Sequence, residues 1–537
     1  MALKTFSRDQ VAKVCCPSLS RIRVENGHST IRTETWHLVI IDSKVYDLSK
    51  FAKVHPGGIS VLLDSEIAGQ DATERFYELH RTEVIEKYTR LQVGVIEGEE
   101  VAPSRVPGAI SSVPYAEPTW LAPGGYHSPY YKEHHRRFQK VYRRFVEDVV
   151  VPDAQARESD GQAPSKHVVE EMCRLNILAM QIGPGKHLNG RVLMDGLISH
   201  EEVGGCRDST VKRTDVTYTQ FDPFIELIIT QSAAKLHARG YNDGLGGGTI
   251  IGLPPVINFA QPALRDRVVE DALSGKRPVC LAVTEPFAGS DVAGIRTRAR
   301  KTEDGYWIVN GSKKWITTGT RAHWFTTACR TDDGEIVVLL IERDEGVETK
   351  PIKTLYSATA GTAFITFDNV RVPDSHRLGP GTPGLLIILT NFSHERYVDA
   401  LPRNTLLRLP SWVLVAHNIA RQRVIYEECM KWANQRKVFG KPLSSQAVVR
   451  QKLAAMIARF ESCQSWLEAI TFQMCRMSPE EQAKHLAGPI ALLKMHATRE
   501  SQKTAADAIQ IFGGRGITKT GMGRFVEHFH HSLLIDS

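Results

Sequence analysis

Two histidines in the amino-terminal part of the chain could do metal chemistry. His55 sits in a His-Pro-Gly-Gly turn, where the proline and glycines fold the backbone tightly and let it approach something flat. His80 follows on a helical stretch, too far along to share a helix turn with His55. Two imidazoles on separate short elements can face each other across a cavity and bind one iron from both sides. Iron held that way has no open position and suits one-electron transfer rather than oxygen binding. Further along, Thr284, Gly289 and Ser290 in LAVTEPFAGSDVAGIRTRA offer backbone N–H groups and hydroxyls with little bulk, suited to a phosphate or a polar ring edge. Trp315 and Thr317 alternate in KKWITTG and would present a flat face and a hydroxyl on one side of a strand. Taken singly, His55 reads equally as a turn histidine, His80 as a surface histidine and Trp315 as a core tryptophan of a plain hairpin.

The elements that must position these groups fall into an order along the 537 residues, a length suited to two to four domains. Residues 1–97 form a compact unit ending in LQVGVIEGEE, and the stretch 98–128, rich in Pro, Gly and Ser, reads as an extended linker. Over 129–277 the pattern is helical, as in HHRRFQKVYRRFVEDVV, where apolar residues recur three and four apart. Over 278–380 it changes to strands, with YWIVNGSKKWIT predicted as a hairpin turning at Asn310-Gly311 and EIVVLLIE and TAFITFDNVRV as further strands. Residues 381–537 are helical again, with broad apolar faces. No internal repeat is evident.

Composition narrows the class. The chain is 42% hydrophobic and 24% charged, and no apolar run is long enough to span a bilayer. The amino terminus lacks the apolar core of a signal peptide, and Ile535-Asp536-Ser537 is not a peroxisomal address, so cytoplasm is the expected compartment and peroxisome the alternative. Nine scattered cysteines, with no Cys-x-x-Cys pair, argue for a reducing compartment and against a disulfide framework or a zinc site. The net charge of +7 is spread along the chain rather than gathered in one tract, which points away from nucleic acid and suits phosphate-bearing ligands.

The run from Lys44 to Ile96 resembles the cytochrome b5 family: KVYDLSKF, then HPGG, AGQDATERF, a second histidine and KYTRLQVGVI. The stretch from Cys15 to Thr35 is longer and more polar than that family's usual entry. The resemblance implies an α+β domain binding heme b, with His55 and His80 as axial ligands.

Residues 130 to 531 resemble the acyl-CoA dehydrogenase family. The motifs occur in family order: TEPFAGSD, NGSKKWIT, FDNVRVP with LGPGTPG, HERYVDA, RKVFGKPL and IQIFGGRGIT. The fold class implied is multidomain: a cytochrome b5-like domain, then a helical domain, a middle β-domain and a carboxy-terminal four-helix bundle. FAD would lie between the last two. Residue by residue, the resemblance makes Leu281, Val283, Thr284, Gly289 and Ser290 the flavin-contacting strand and loop, and Trp315 and Thr317 the flavin's other wall. Arg436, Phe439, Gln510 and Gly514 match positions that hold the FAD of a neighbouring subunit, which implies a homodimer or homotetramer. Gln446 follows Phe439 one residue sooner than the family spacing.

The family's reaction needs a carboxylate base over the substrate α-carbon and hydrogen-bond donors on the thioester carbonyl. The resemblance puts Glu395 of HERYVDA in that role, with Arg396 beside it, as in the minority of members whose base opens the bundle. The alternative for Glu395 is a helix-start carboxylate paired with arginine. Glu285 reads as structural, within the T-E-P turn. Many members carry the base after the last helix, where this sequence reads HHSLLIDS; related fungal-type fusions continue with a further tail, and lack of it would leave the flavin site less closed to water. The expected function is α,β-dehydrogenation of an acyl-CoA, with the heme taking electrons singly beside or in place of an external acceptor, in fatty-acid or secondary metabolism. The alternatives are a flavin oxidase of the same fold, using oxygen or a non-thioester substrate, and a truncated remnant without turnover.

Overall fold

The computed structural model describes residues 4–14, 37–55, 57–80, 84–85, 88–99, 108–122, 126–198, 221–236, 238–355, 358–392, 410–519 and 521–536. Glu395 and Arg396 lie outside the described residues. The chain divides into two compact units, one made of 1–106, 428–453 and 511–523, the other of 107–427, 454–510 and 524–537.

The first unit contains a four-stranded sheet in the order β1 (Lys4–Phe6), β4 (Gln92–Ile96), β3 (Lys44–Asp47), β2 (Leu38–Ile41). β2 is buried along its whole length. Its alternate residues feed two cores: Leu38 and Ile40 pack with Val11, Val45 and Ile96, while Val39 and Ile41 pack with Tyr46, Ala72 and Ile85. Although β2 stands at the edge of the sheet, a strand covered on both faces must be apolar throughout, and LVII is. The second core carries the short helix Thr73–Leu79 and thereby sets where His80, its C-cap, stands.

The second unit holds a seven-stranded sheet. Its strands are β5 (Val279–Ala282), β6 (Arg298–Lys301), β7 (Tyr306–Ile316), β8 (Trp324–Arg330), β9 (Ile336–Glu342), β10 (Val347–Pro351) and β11 (Ala363–Pro373). The order is β10-β11-β7-β6-β8-β5, with β9 on β8. The predicted hairpin is corrected here: YWIVNGSKKWI is one strand of 11 residues, and Asn310-Gly311 does not turn. Asn310 faces a bulge in β11, accepting the Asn369 N–H at 2.8 Å and donating to its Oδ1 at 3.1 Å. Gly311 passes so close to Thr297 that a Cβ there would sit 2.6 Å from the Thr297 Cα. The glycine serves a close approach, not a turn.

The stretch predicted as an extended linker is also only partly one. Glu117 is buried and bonds Arg143 at 2.7 and 2.9 Å and Lys235 at 2.6 Å. Trp120 stacks on Tyr131 with ring centroids 3.9 Å apart. A buried carboxylate fastened to two cations and a buried tryptophan fix residues 114–121 onto the helical domain, which composition alone does not reveal.

The helical segments of the carboxy-terminal part are Gly384–Phe392, Pro410–Gln435, Ala447–Met474, Pro479–Phe512 and Gly521–Asp536. Buried polar pairs stitch the three longest together: Trp412 to Thr471 at 2.9 Å, Asn418 to Ser501 at 3.1 Å and Thr504 to Gln422 at 3.0 Å. None of the described helices is long and apolar enough to cross a membrane.

Candidate functional site

His55 ends a turn of 3-10 helix at Ala52–Val54 and His80 ends the helix Thr73–Leu79, so two separate helix ends aim their rings at one space. The ring centroids are 6.0 Å apart. One metal held by two imidazoles needs two metal–N bonds of ~2 Å and ~1 Å from each nitrogen to its ring centre, about 6 Å in all. His55 Nδ1 lies 3.1 Å from the Gly58 carbonyl. A carbonyl only accepts, so Nδ1 carries the proton and Nε2 is left with its lone pair free for a ligand bond. Gly57 leaves room beside the ring, because a Cβ there would be 2.9 Å from His55 Cε1. Burial pushes His80 down to about 4, helped by His55 and the positive charge of Arg515, so its ring is neutral at pH 7. Phe51, Phe76 and Tyr88 line the space, with Phe76 4.9 Å from the His80 ring and Phe51 4.9 Å from Tyr88. Apolar walls around two lone-pair donors fit a flat, apolar iron macrocycle.

In the second unit the exit of β5 meets the end of β7. Leu281 and Val283 are buried, Thr284 is half-buried, and Gly289 and Ser290 lie exposed in the following loop. The Lys314 N–H donates to the Thr284 carbonyl at 2.8 Å, which brings the Thr284 segment beside Trp315. Trp315 is left-handed at φ 64° and 53% exposed, with Lys314 Nζ 4.9 Å from its ring centre. A bulky residue in that region stores strain that surrounding structure must hold. The expected strand alternation of Trp315 and Thr317 is corrected: β7 stops at Ile316 and Thr317 lies in the turn beyond it.

Beneath this edge Glu285 and Lys313 form a buried pair at 2.7 Å. Lys313 also donates to the Val283 carbonyl at 3.0 Å, and Glu285 takes the Arg296 N–H at 2.6 Å and the Thr297 N–H at 2.9 Å. Burial acts to raise the Glu285 carboxyl, but Lys313 and the Thr297 bonds outweigh it and hold it below the usual carboxylate range. The expected structural reading of Glu285 agrees with this: every bond it makes braces the loop.

One part of this neighbourhood escaped the sequence reading. In the glycine run 244–248 the Gly248 N–H donates to Thr318 Oγ1 at 3.2 Å, and a Cβ at Gly248 would lie 2.6 Å from that oxygen. The preceding Asp243–Gly247 turn is π-helical, a form that concentrates at functional sites. The density of glycine in DGLGGG was the available signal.

In the first unit, β12 (Lys437–Val438) and β13 (Lys441–Pro442) pair around Phe439 and Gly440, both with positive φ, so the type I′ turn occurs here. Phe439 is 93% exposed, Arg436 half-buried and Gly514 exposed. Gln510 belongs to the other unit and is exposed.

Among the described residues, one grouping has metal-ligand character: His134, His135 and Asp222. His135 Nδ1 accepts the Lys132 N–H at 2.8 Å, so Nε2 carries the proton, facing Asp222 Oδ1 and Oδ2, both at 3.2 Å. A metal on Nε2 would move that proton to Nδ1, against another N–H. His135 and Asp222 cap two helices, since Asp222 also takes the Phe224 and Ile225 N–H groups at 3.0 Å.

A paired-histidine pocket in a small α+β domain, followed by helices, a β-sheet and long helices, defines an electron-transfer domain joined to a flavoprotein dehydrogenase. Comparison with known proteins agrees. Residues 28–97 match the family model of the cytochrome b5-like heme/steroid binding domain, 280–370 the acyl-CoA dehydrogenase middle domain and 406–536 the acyl-CoA dehydrogenase carboxy-terminal domain. The acyl-CoA dehydrogenase apdG of Emericella nidulans is 33% identical over 425 residues, 78% of this chain and 90% of that one. The acyl-CoA dehydrogenase AFT10-1 of Alternaria alternata is 31% identical over 435 residues, 79% and 92% of the two chains. The solved butyryl-CoA dehydrogenase of Megasphaera elsdenii shares the fold with a TM-score of 0.59 at 21% identity, covering 76% of this chain and 95% of that one. The chain belongs to the acyl-CoA dehydrogenase family, fused to a cytochrome b5-like domain. It is an oxidoreductase with FAD and heme as its cofactors.

Proposed function

We propose that the protein introduces an α,β double bond into an acyl-CoA thioester, with the fused heme receiving the electrons one at a time. The observation that supports it is the Lys314–Thr284 bond, which sets a strained, exposed tryptophan beside a small-residue loop on a rigid, ion-braced strand edge. Leu281, Val283, Thr284, Gly289 and Ser290 hold one side of the flavin, and Trp315 and Thr317 the other. Arg436, Phe439, Gln510 and Gly514 hold the flavin of a second copy, in a homodimer or homotetramer. Glu395, assisted by Arg396, takes the α-proton of the thioester. The bound flavin supplies the acceptor for the β-hydrogen and its electron pair. The product is a 2-enoyl thioester. His55 and His80 would hold the heme, which would supply one-electron transfer toward an external acceptor. Kinship with the Emericella and Alternaria proteins supports a place in secondary metabolism, and the compartment we favour is the cytoplasm.

The test is an anaerobic absorption spectrum before and after addition of a panel of acyl-CoAs. Flavin bleaching followed by reduced heme bands is expected, and Glu395→Gln should slow bleaching by about 10²–10⁴-fold. Bound flavin that no thioester bleaches overturns the acyl-CoA reading. Bleached flavin beside oxidised heme removes the internal transfer, and unchanged bleaching in Glu395→Gln removes Glu395 as the base.

A further inference from the structure

Thr317, one wall of the proposed flavin site, has a strained residue on either side. Trp315 has φ 64° and Thr318 φ 62°, both left-handed without being glycine. Such strain persists only where the surroundings hold it. Two neighbouring segments do so here. From one, the Ala360 carbonyl accepts the Thr318 N–H at 2.9 Å and the Gly361 carbonyl the Thr320 N–H at 3.1 Å. From the other, the Gly248 N–H reaches Thr318 Oγ1 at 3.2 Å, and a Cβ at Gly247 would lie 3.7 Å from Thr317 Cγ2. One side chain ties both segments to the turn. Arg321 Nη2 donates to the Gly244 carbonyl at 3.1 Å and to the Thr359 carbonyl at 2.9 Å. The Arg321 N–H is itself fastened to the Thr318 carbonyl at 2.9 Å. Glycines make room for the guanidinium. Gly361 is left-handed at φ 62°, and a Cβ there would lie 2.9 Å from Arg321 Nη1. A Cβ at Gly244 would lie 3.1 Å from Nη2.

We propose that Arg321 is a positioning residue for the flavin: by clamping the Gly244 and Thr359 carbonyls it fixes the turn that presents Thr317. The inference rests on the reading of Thr317 as a flavin wall. Among the described residues Arg321 forms no ion pair, so its charge is directed at backbone carbonyls from two segments far apart in the chain. Hydrogen bonds from a charged donor are roughly twice as strong as neutral ones. The π-helical turn Asp243–Gly247 contains three glycines and is costly to order, so a clamp from outside it has most to contribute there. Loss of the guanidinium frees that turn to draw away from Thr317 and lets the two left-handed residues relax. Arg321 thus acts through Thr317 and not on the reacting atoms.

The test is FAD binding and the shape of the bound flavin's visible band in the full-length protein, stripped of FAD and reloaded. Arg321→Ala should raise the FAD dissociation constant about 10-fold, as expected for lost hydrogen bonds from a charged donor, and alter the band. Added guanidinium ion, far below denaturing concentrations, should restore both, and sodium at equal ionic strength should not. Arg321→Met keeps the bulk and removes the donors. It should show the same weakening without rescue, and it carries the test if the alanine variant does not fold. Arg191 also donates to a backbone carbonyl, that of His187 at 3.1 Å, but lies in the helical domain. Arg191→Ala should lower the thermal midpoint and keep FAD affinity. Unchanged FAD affinity and band shape in Arg321→Met overturns the positioning role. A loss in folded Arg321→Ala that guanidinium does not reverse assigns Arg321 to the general fold and overturns it equally. No acyl-CoA enters these measurements, so the dehydrogenase reading stands or falls by its own experiment.

Discussion

Lys313 Nζ lies 2.7 Å from Glu285 Oε1 with both side chains shut off from solvent, at 0% and 3% exposure. Lys313 stands two residues before Trp315, and Glu285 follows Thr284, so the pair locks together the two segments proposed to face the flavin. Removing one partner of a buried pair leaves the other charge uncompensated, at a cost of about 3–5 kcal/mol. Lys313→Met should lower the denaturant midpoint and release FAD on gel filtration. Because the Glu285 carboxyl is held below 4.5, its contribution is in force above that pH and disappears as pH falls through its lowered value. A loss under 1 kcal/mol with FAD retained would show that the pair does not brace the site.

Gly57→Ala places a methyl 2.9 Å from the His55 ring, which must then move. The variant should bind heme more weakly while FAD content stays normal. His55→Ala and His80→Ala should each lose the six-coordinate heme spectrum. Retention of that spectrum in either alanine variant would remove that histidine as a ligand.

Asn310-Gly311 tests strand against turn. In a tight type I′ turn Gly311→Ala would be strained by its positive φ alone and would meet no neighbouring backbone. In β7 a new Cβ 2.6 Å from Thr297 Cα meets backbone, so overpacking should cost about 1–3 kcal/mol, read as a fall in the thermal midpoint. A shift within error would contradict the continuous strand.

His134 and His187 are held neutral by burial, each pushed down to about 4 from 6.5. Above pH 6.5 neither state of the protein binds their protons. As pH falls from 6.5 to 4 the unfolded chain takes up protons that the folded chain refuses, so stability drops through that window. Unfolding midpoints measured across it should fall less steeply in a His134→Gln/His187→Gln double variant than in the unaltered protein. Equal slopes would place the pH dependence elsewhere.

Much of this molecule was readable from its residues. The motif order named the modules, and the unbroken apolar run in IVVLLIE marked a strand because burial on both faces writes itself into local pattern. The two histidines were visible as a pair because their turn and helix are short and local. What local pattern does not encode is partnership across the chain. Asn310-Gly311 is a turn signal in isolation, yet the approach of Thr297 and the bulge at Asn369 made it strand, and the I′ turn fell instead at Phe439-Gly440. The Pro-rich stretch became part of a core because Glu117 found Arg143 and Lys235 more than twenty and a hundred residues away. Residue types thus determined which chemistry the chain can perform. Only the tertiary structure decided that Glu285 and Lys313 would share one buried site and that Lys437 would meet Glu74, because such contacts depend on elements far apart in sequence packing together.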